Sequence, residues 1–335
     1  MMNTNEKVKT MKSKIQPKKE HERNEGIPFD ANLFKEISIN RSAVERRAST
    51  LSGRRSVKKE WQAAWLLKAL SCIDLTTLAG DDTQSNVMRL CAKAQAPVRK
   101  DLLKSMGMDD ANITVGAVCV YHNLIEDAVA GLKGSSIPIA AVSTGFPAGN
   151  IPLKEKIKQI ELSVAAGAKE IDIVVSRNLV LLSDWKGLYN EVAACRKACG
   201  EAHMKTILAT GEIPTYTKVA KASWVSMMAG SDFIKTSTGK ESVNATIPVS
   251  LVMIRTIREY HELTGYKVGF KPAGGISKAK QAINWLILIK EELGDEWLTP
   301  DLFRFGASSL LGDIERQLEH FVTGRYSASF RHPMA

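Results

Sequence analysis

The residues best suited to chemistry are lysines set inside apolar runs. Lys235 stands in Asp232-Phe233-Ile234-Lys235-Thr236, Lys205 opens Lys205-Thr206-Ile207-Leu208-Ala209, and Lys271 closes Val268-Gly269-Phe270-Lys271. An ammonium buried in such a run is costly unless it is paired or neutral. A neutral, desolvated lysine is the nucleophile needed to attack a carbonyl and form a Schiff base. Like charges crowded in a dry cavity lower one another's pKa, so Lys271 is placed to keep Lys235 partly neutral. Two carboxylates fall in comparable runs, Asp74 in Ile73-Asp74-Leu75-Thr76 and Asp172 in Glu170-Ile171-Asp172-Ile173-Val174. Each must find a partner there. Asp172, close to a candidate amine, reads as functional; Asp74 serves equally well as a structural ion-pair partner.

A second signal is a seat for phosphate. Thr236-Ser237-Thr238-Gly239-Lys240 offers hydroxyls, backbone N–H groups and a cation directly after Lys235. Gly274-Gly275 lets a backbone approach an anion closely, and Gly306-Ala307-Ser308-Ser309 places Ser308 or Ser309 to cap a following helix. A reactive amine beside a phosphate seat points to carbonyl chemistry on a sugar phosphate. Cys119, in Val118-Cys119-Val120-Tyr121, reads as a small core residue. The histidines show no metal-ligand spacing, so neither metal nor cofactor is expected.

Elements must position these residues, and the pattern alternates. Short β-branched or apolar runs near 72–78, 114–121, 137–142, 170–175, 205–209, 232–236, 267–271 and 302–307 read as strands. Helical periods fall between them near 84–98, 123–131, 152–167, 182–200, 214–229, 246–263, 278–293 and 309–322. Eight strand–helix repeats are the count of a (β/α)8 barrel, an α/β TIM barrel, in which chemistry sits at the C-terminal ends of strands. The polar residues above fall there. A doubly wound sheet competes, but no Gly-x-Gly-x-x-Gly opens the first strand–helix turn, which excludes its dinucleotide-binding version.

The net charge of +10 over 335 residues is uneven. Residues 1–60 carry 15 Lys/Arg and 8 Asp/Glu, a balance of +7, which leaves +3 for the rest. We therefore divide the chain into a basic, largely disordered N-terminal extension over 1–60, a (β/α)8 barrel over 61–326 and a short tail over 327–335. Residues 1–25 lack any period, whereas 27–60 carry apolar groups that suit a segment lying across the barrel. By charge alone the extension suits nucleic acid, an anionic membrane or an acidic partner, but its composition is that of a solvated tail, and neither nucleic acid nor membrane is expected. No apolar run is long enough to span a bilayer, and the N-terminus has no secretory pattern. Five cysteines without a Cys-x-x-Cys pair read as reduced thiols. The expectation is a cytoplasmic protein, with Arg54-Arg55 and Lys58-Lys59 as a weak nuclear-import cluster. The homo-oligomeric state stays open.

These motifs together resemble the deoxyribose-phosphate aldolase family in its longer, eukaryote-type form, from about residue 72 to 325. The resemblance rests on Ile73 to Thr76, Glu170 to Asp172, Lys205 to Glu212, Asp232 to Lys240, Gly269 to Gly275 and Phe305 to Ser309. It implies a metal-free class I aldolase acting on 2-deoxy-D-ribose 5-phosphate. It further implies that Lys235 forms the imine, Lys271 perturbs it, and Asp172 works with Lys271 in proton transfer. Asp74, Cys119 and Lys205 match positions lining the family's active site. Gly239, Lys240, Gly274, Gly275, Gly306, Ser308 and Ser309 match its phosphate loops. Two departures stand out. Ser277 takes the place of an arginine many relatives have after the Gly-Gly turn, and the last tyrosine is Tyr326 rather than the terminal residue. A transaldolase-like enzyme and a binding protein acting through its basic tail remain the competing readings.

Overall fold

A computed structural model describes residues 23–332. Eight short parallel strands run β1 (Ile73–Thr76), β2 (Ala117–Tyr121), β3 (Ile139–Val142), β4 (Glu170–Val174), β5 (His203–Ile207), β6 (Phe233–Lys235), β7 (Gly269–Lys271) and β8 (Phe305–Ala307). From β1 to β7 each strand pairs with the next, and β8 pairs with β1. Bridges from Phe270 to Phe303 and from Ala273 to Gly306 bring β7 against the β8 segment and close the barrel. Every strand expected from sequence is present, and the chain is a TIM barrel.

Strand side chains alternate between faces, and the alternation sorts them by polarity. Ile73, Leu75, Val118, Val120, Ile171, Ile173, Met204, Ile234, Phe270 and Phe305 join the apolar layer between sheet and helices. Asp74, Glu170, Asp172, Lys205, Lys235 and Lys271 take the alternate positions and meet one another by hydrogen bonds inside the barrel. The helices start and stop on local signals. Thr215, Thr246 and Asp184 accept N-cap hydrogen bonds from Lys218, Val249 and Gly187, while Gly265 and Gly324 close two helices with left-handed backbone. The helix expected over 84–98 ends at Gln95, because Pro97 disfavours helical backbone at Ala96, and a short helix Lys100–Ser105 follows. Among the described residues no helix is long and apolar enough to cross a membrane.

The expected disorder of 1–25 falls mostly outside the described residues. Within them, residues 23–60 are held against the barrel. Asn24 is buried and its amide donates to the carbonyl oxygens of Met227 and Ser231, both at 2.8 Å. Helices form at Arg41–Ser49 and Leu51–Arg54, burying Val44 and Leu51. Phe34 is buried with its ring edge-on to Phe29 and Trp185. Part of the basic charge is consumed here: Arg47 lies 2.7 Å from Glu291 and 3.2 Å from Glu292, and Arg55 lies 3.2 Å from Glu291. Helix Lys59–Ser71 runs straight through the boundary placed at residue 60. The reason is apolar content: Phe34, Val44 and Leu51 supply enough contact to hold a segment whose overall charge suggests solvent.

Candidate active site

Strand register assembles the lysines and carboxylates. Asp172 sits opposite Lys205 across β4 and β5, and Lys235 opposite Lys271 across β6 and β7. Asp172 becomes the shared acceptor. Its Oδ2 takes hydrogen bonds from Lys235 Nζ at 2.7 Å and Lys271 Nζ at 2.8 Å, and its Oδ1 from Lys205 Nζ at 3.1 Å. Lys271 also donates to Asp74, and Lys205 to Glu170. Arg304 completes the set, lying 2.5 Å from Asp74 Oδ1 and 2.8 Å from Glu170 Oε1. All seven side chains are buried. Cys119, beside them, packs with Ala117, Ala140 and Val142 in a small apolar patch.

Burial and pairing set the charges. Burial disfavours the charged form of Lys235, Asp172 favours it and Lys271 opposes it, and the amine ends below the ordinary lysine value. Lys271 goes the other way: burial pulls it down, but Asp172 and Asp74 outweigh that and hold it charged. Lys205 is likewise raised against burial by Asp172, Glu170 and Asp74. Burial pushes Asp172 up, yet Lys205, Lys235 and Lys271 together hold it well below the usual carboxylate range. Asp74 and Glu170 are lowered in the same manner, Asp74 chiefly by Lys271 and Glu170 chiefly by Arg304. Crowding was expected to depress all three lysines. Only Lys235 is depressed, since it has a single carboxylate partner whereas Lys205 and Lys271 have more.

Lys235 is the member of this network that opens outward. It lines a cleft of about 280 Å³ together with Thr76, Thr238, Gly239, Lys240, Gly274 and Gly275. Ser277, Gly306, Ser308 and Ser309 complete the polar rim. Every expected phosphate-loop residue therefore borders one cavity with the candidate amine. Gly239, Gly274 and Gly275 all have positive φ, +87°, +81° and +77°, a backbone that side-chain-bearing residues rarely adopt. The 15-residue helix Ser309–Thr323 begins at this rim, so its free N–H groups border the cleft. The capping expectation needs correction. Ser308 occupies the N-cap position, but its hydroxyl makes no capping bond because its backbone is not extended (φ −117°, ψ −64°). Lys278, beside Ser277, reaches Asp313 at 3.5 Å. Tyr326 stacks on His320 on the outside, 85% exposed.

Two members of the network were not singled out from sequence. Glu170 shares a strand face with Asp172, which its i, i+2 spacing signals. Arg304 shares a face with Gly306 by the same spacing in Phe303-Arg304-Phe305-Gly306, a lone cation between aromatic residues. Both were legible as inward charges.

The chain is similar to known aldolases over most of its length. The sequence model of the DeoC/LacD family aldolases matches residues 68–310. Deoxyribose-phosphate aldolase of Mus musculus is 62% identical over 312 residues, covering 92% of this chain and 98% of the mouse protein. That of Homo sapiens is 60% identical over 314 residues, covering 93% and 99%. Among solved structures, the tetrameric deoxyribose phosphate aldolase of Aeropyrum pernix shares the fold with a TM-score of 0.55 at 20% identity, covering 79% of this chain and 98% of that one. The chain belongs to the DeoC/LacD aldolase family.

Proposed function

We propose that this chain is a class I aldolase that reversibly cleaves 2-deoxy-D-ribose 5-phosphate, with Lys235 as the imine-forming residue. One observation carries the assignment of Lys235: of the three buried lysines on Asp172, it alone lines the cleft that the glycine loops border. The substrate class rests on the mouse and human relatives, whose similarity runs almost end to end.

In the reaction, neutral Lys235 adds to the C1 aldehyde and water leaves to give a protonated imine. Asp172 accepts the proton of the C3 hydroxyl while Lys271 keeps the surrounding field positive. The C2–C3 electron pair moves toward the iminium, the bond breaks, and glyceraldehyde 3-phosphate departs. The enamine left on Lys235 is protonated at C2 through the Asp172–Lys271 pair and hydrolysed, which releases acetaldehyde and the free amine. Proton transfers of this type contribute roughly 10²–10⁴ in rate. Phosphate is held by Gly239, Lys240, Gly274, Gly275, Gly306, Ser308 and Ser309. Five free, buried cysteines are in keeping with a reducing, cytoplasmic setting. The tetrameric archaeal relative supports testing this chain for self-association.

Borohydride reduction with 2-deoxyribose 5-phosphate tests the assignment. The expected result is a reduced two-carbon or sugar adduct mapped to Lys235 and abolished in Lys235→Ala. A folded protein that consumes no substrate and traps no adduct would remove the aldolase reading.

A further inference from the structure

Arg304 is the one fixed cation in the charge network that no titration near neutral pH can remove. Its Nη1 lies 2.5 Å from Asp74 Oδ1 and 3.3 Å from Glu170 Oε2, and its Nη2 2.8 Å from Glu170 Oε1. Its Nε donates to the carbonyl of Pro300. The residue is 4% exposed. It thus bridges β1 and β4 from the residue preceding β8, across the barrel floor. From those two carboxylates the chain of contacts continues through Lys271 and Lys205 to Asp172, and from Asp172 to Lys235.

The charge count explains what that contact chain does. Arg304, Lys205 and Lys271 are three cations; Asp74, Glu170 and Asp172 are three anions. The cluster is therefore balanced when Lys235 is an uncharged amine and carries an excess positive charge when it is not. We propose that Arg304 is a positioning residue for the aldolase reaction, supplying from four contacts away the charge that lets Lys235 stand in the cleft as a free amine. The inference rests on Lys235 being the imine-forming residue. Lys235 itself faces Asp172 from β4, Lys271 from β7 and the Cys119 thiol from β2, while among the described residues the charged groups in contact with Arg304 are Asp74 and Glu170.

The test is the pH dependence of borohydride trapping in the full-length protein. Arg304→Met leaves two cations against three anions, so a charged Lys235 restores balance. The trapping midpoint moves upward by about one pH unit, roughly a tenfold loss at neutral pH. Glu170→Gln removes an anion and moves the midpoint downward. Arg304→Lys keeps the charge and leaves the midpoint near that of the wild type while kcat falls. Opposite shifts are what charge balance requires and what mere loosening of the barrel cannot give. The inference is overturned if wild type traps and the Arg304→Met and Glu170→Gln midpoints move together or not at all. Should Arg304→Met not fold, the downward shift in Glu170→Gln decides alone. A wild type that traps nothing on Lys235 fails the aldolase reading itself.

The floor also offers a route for rescue. Arg304 and Glu170 line a second cavity of about 660 Å³ with Thr114, Pro138, Lys169 and His203, residues lying just before or at the N-terminal ends of strands. Millimolar guanidinium entering there should restore neutral-pH trapping to Arg304→Ala, and urea, of the same shape without the charge, should not. Recovery with both alike, or with neither, overturns the proposal.

Discussion

The two faces of the same eight-stranded sheet differ in kind. The outer face is a continuous apolar layer against the helices, Ile73, Leu75, Val118, Ile171, Ile234 and Phe270 among its members. The inner face carries three lysines, one arginine and three carboxylates, all buried, with every basic group paired to a carboxylate. Apolar burial stabilises at about 25 cal/mol per Å² and needs no particular partner. A buried ion pair is weak as a source of stability, because desolvation offsets most of its attraction. The molecule therefore stabilises itself with one face and holds charges at fixed separations with the other. Alternation along a strand lets a single segment such as Glu170–Val174 serve both ends.

Breaking the inner face at its hub gives the largest expected effect. Among the described residues Asp172 is the only carboxylate bonded to Lys235. Asp172→Asn removes the proton acceptor, and kcat should fall by about 10²–10⁴. The pH dependence supplies a sign that separates chemistry from collapse. Asp172 favours the charged form of Lys235, so its loss lowers an amine pKa that is already below the usual lysine value. The neutral amine then survives to lower pH, and the acid limb of the residual rate should move downward. A large rate loss with an unmoved acid limb would separate Asp172 from the amine. Acid stability follows the opposite group. Asp172 is itself held well below its ordinary value by its lysines, so the stability it contributes is present above the ordinary aspartate pKa and lost only as pH falls toward its depressed one.

The rim of the cleft lies between these extremes and should show an intermediate effect. Lys240 is exposed and lines the cleft beside Gly239. A hydrogen bond to a charged group is worth about 1.5–3 kcal/mol, so Lys240→Gln should raise KM for the phosphorylated substrate roughly ten- to a hundredfold. Its kcat should change little. Unphosphorylated 2-deoxyribose, compared side by side, should be handled equally by both proteins. A shared loss on both substrates would place Lys240 in the chemistry rather than in phosphate recognition.

These two regions were unequally legible in sequence. The rim is local: Gly239, Gly274 and Gly275 stand where the backbone turns to positive φ, and a glycine-rich loop after a strand announces such a turn on its own. The strands were legible because β-branched runs repeat at regular intervals. The inner network is not local. That Lys235 faces Lys271, and Asp172 faces Lys205, is a matter of register across β4 to β7. Which lysine stays charged depends on how many carboxylates reach it, so three similar lysines acquire two different states. Glu170 and Arg304 are legible as inward charges, but their pairing is not local, since the two lie 134 positions apart in sequence. In residues 27–60 the apolar groups that suit a segment lying across the barrel prevail over the charge that suggests solvent.

That last segment gives the smallest effect on catalysis and the sharpest check on the division of labour. Phe34 is buried on the outer layer, edge-on to Phe29 and Trp185 at centroid distances of 6.0 and 6.2 Å. It contacts none of the charged groups on the inner face. Phe34→Ala removes the ring and leaves a void, at a cost of about 3 kcal/mol or more. The melting temperature should fall, on the order of 5 °C for a chain of this size. At temperatures where both proteins are folded, kcat, KM and the trapping midpoint should match the wild type. If Phe34→Ala instead shifts that midpoint, the outer layer sets the inner charges and the two faces are not independent. An unchanged melting temperature would mean that the segment rests on the barrel without stabilising it, in which case the contacts of Asn24 and Arg47 are those that hold it.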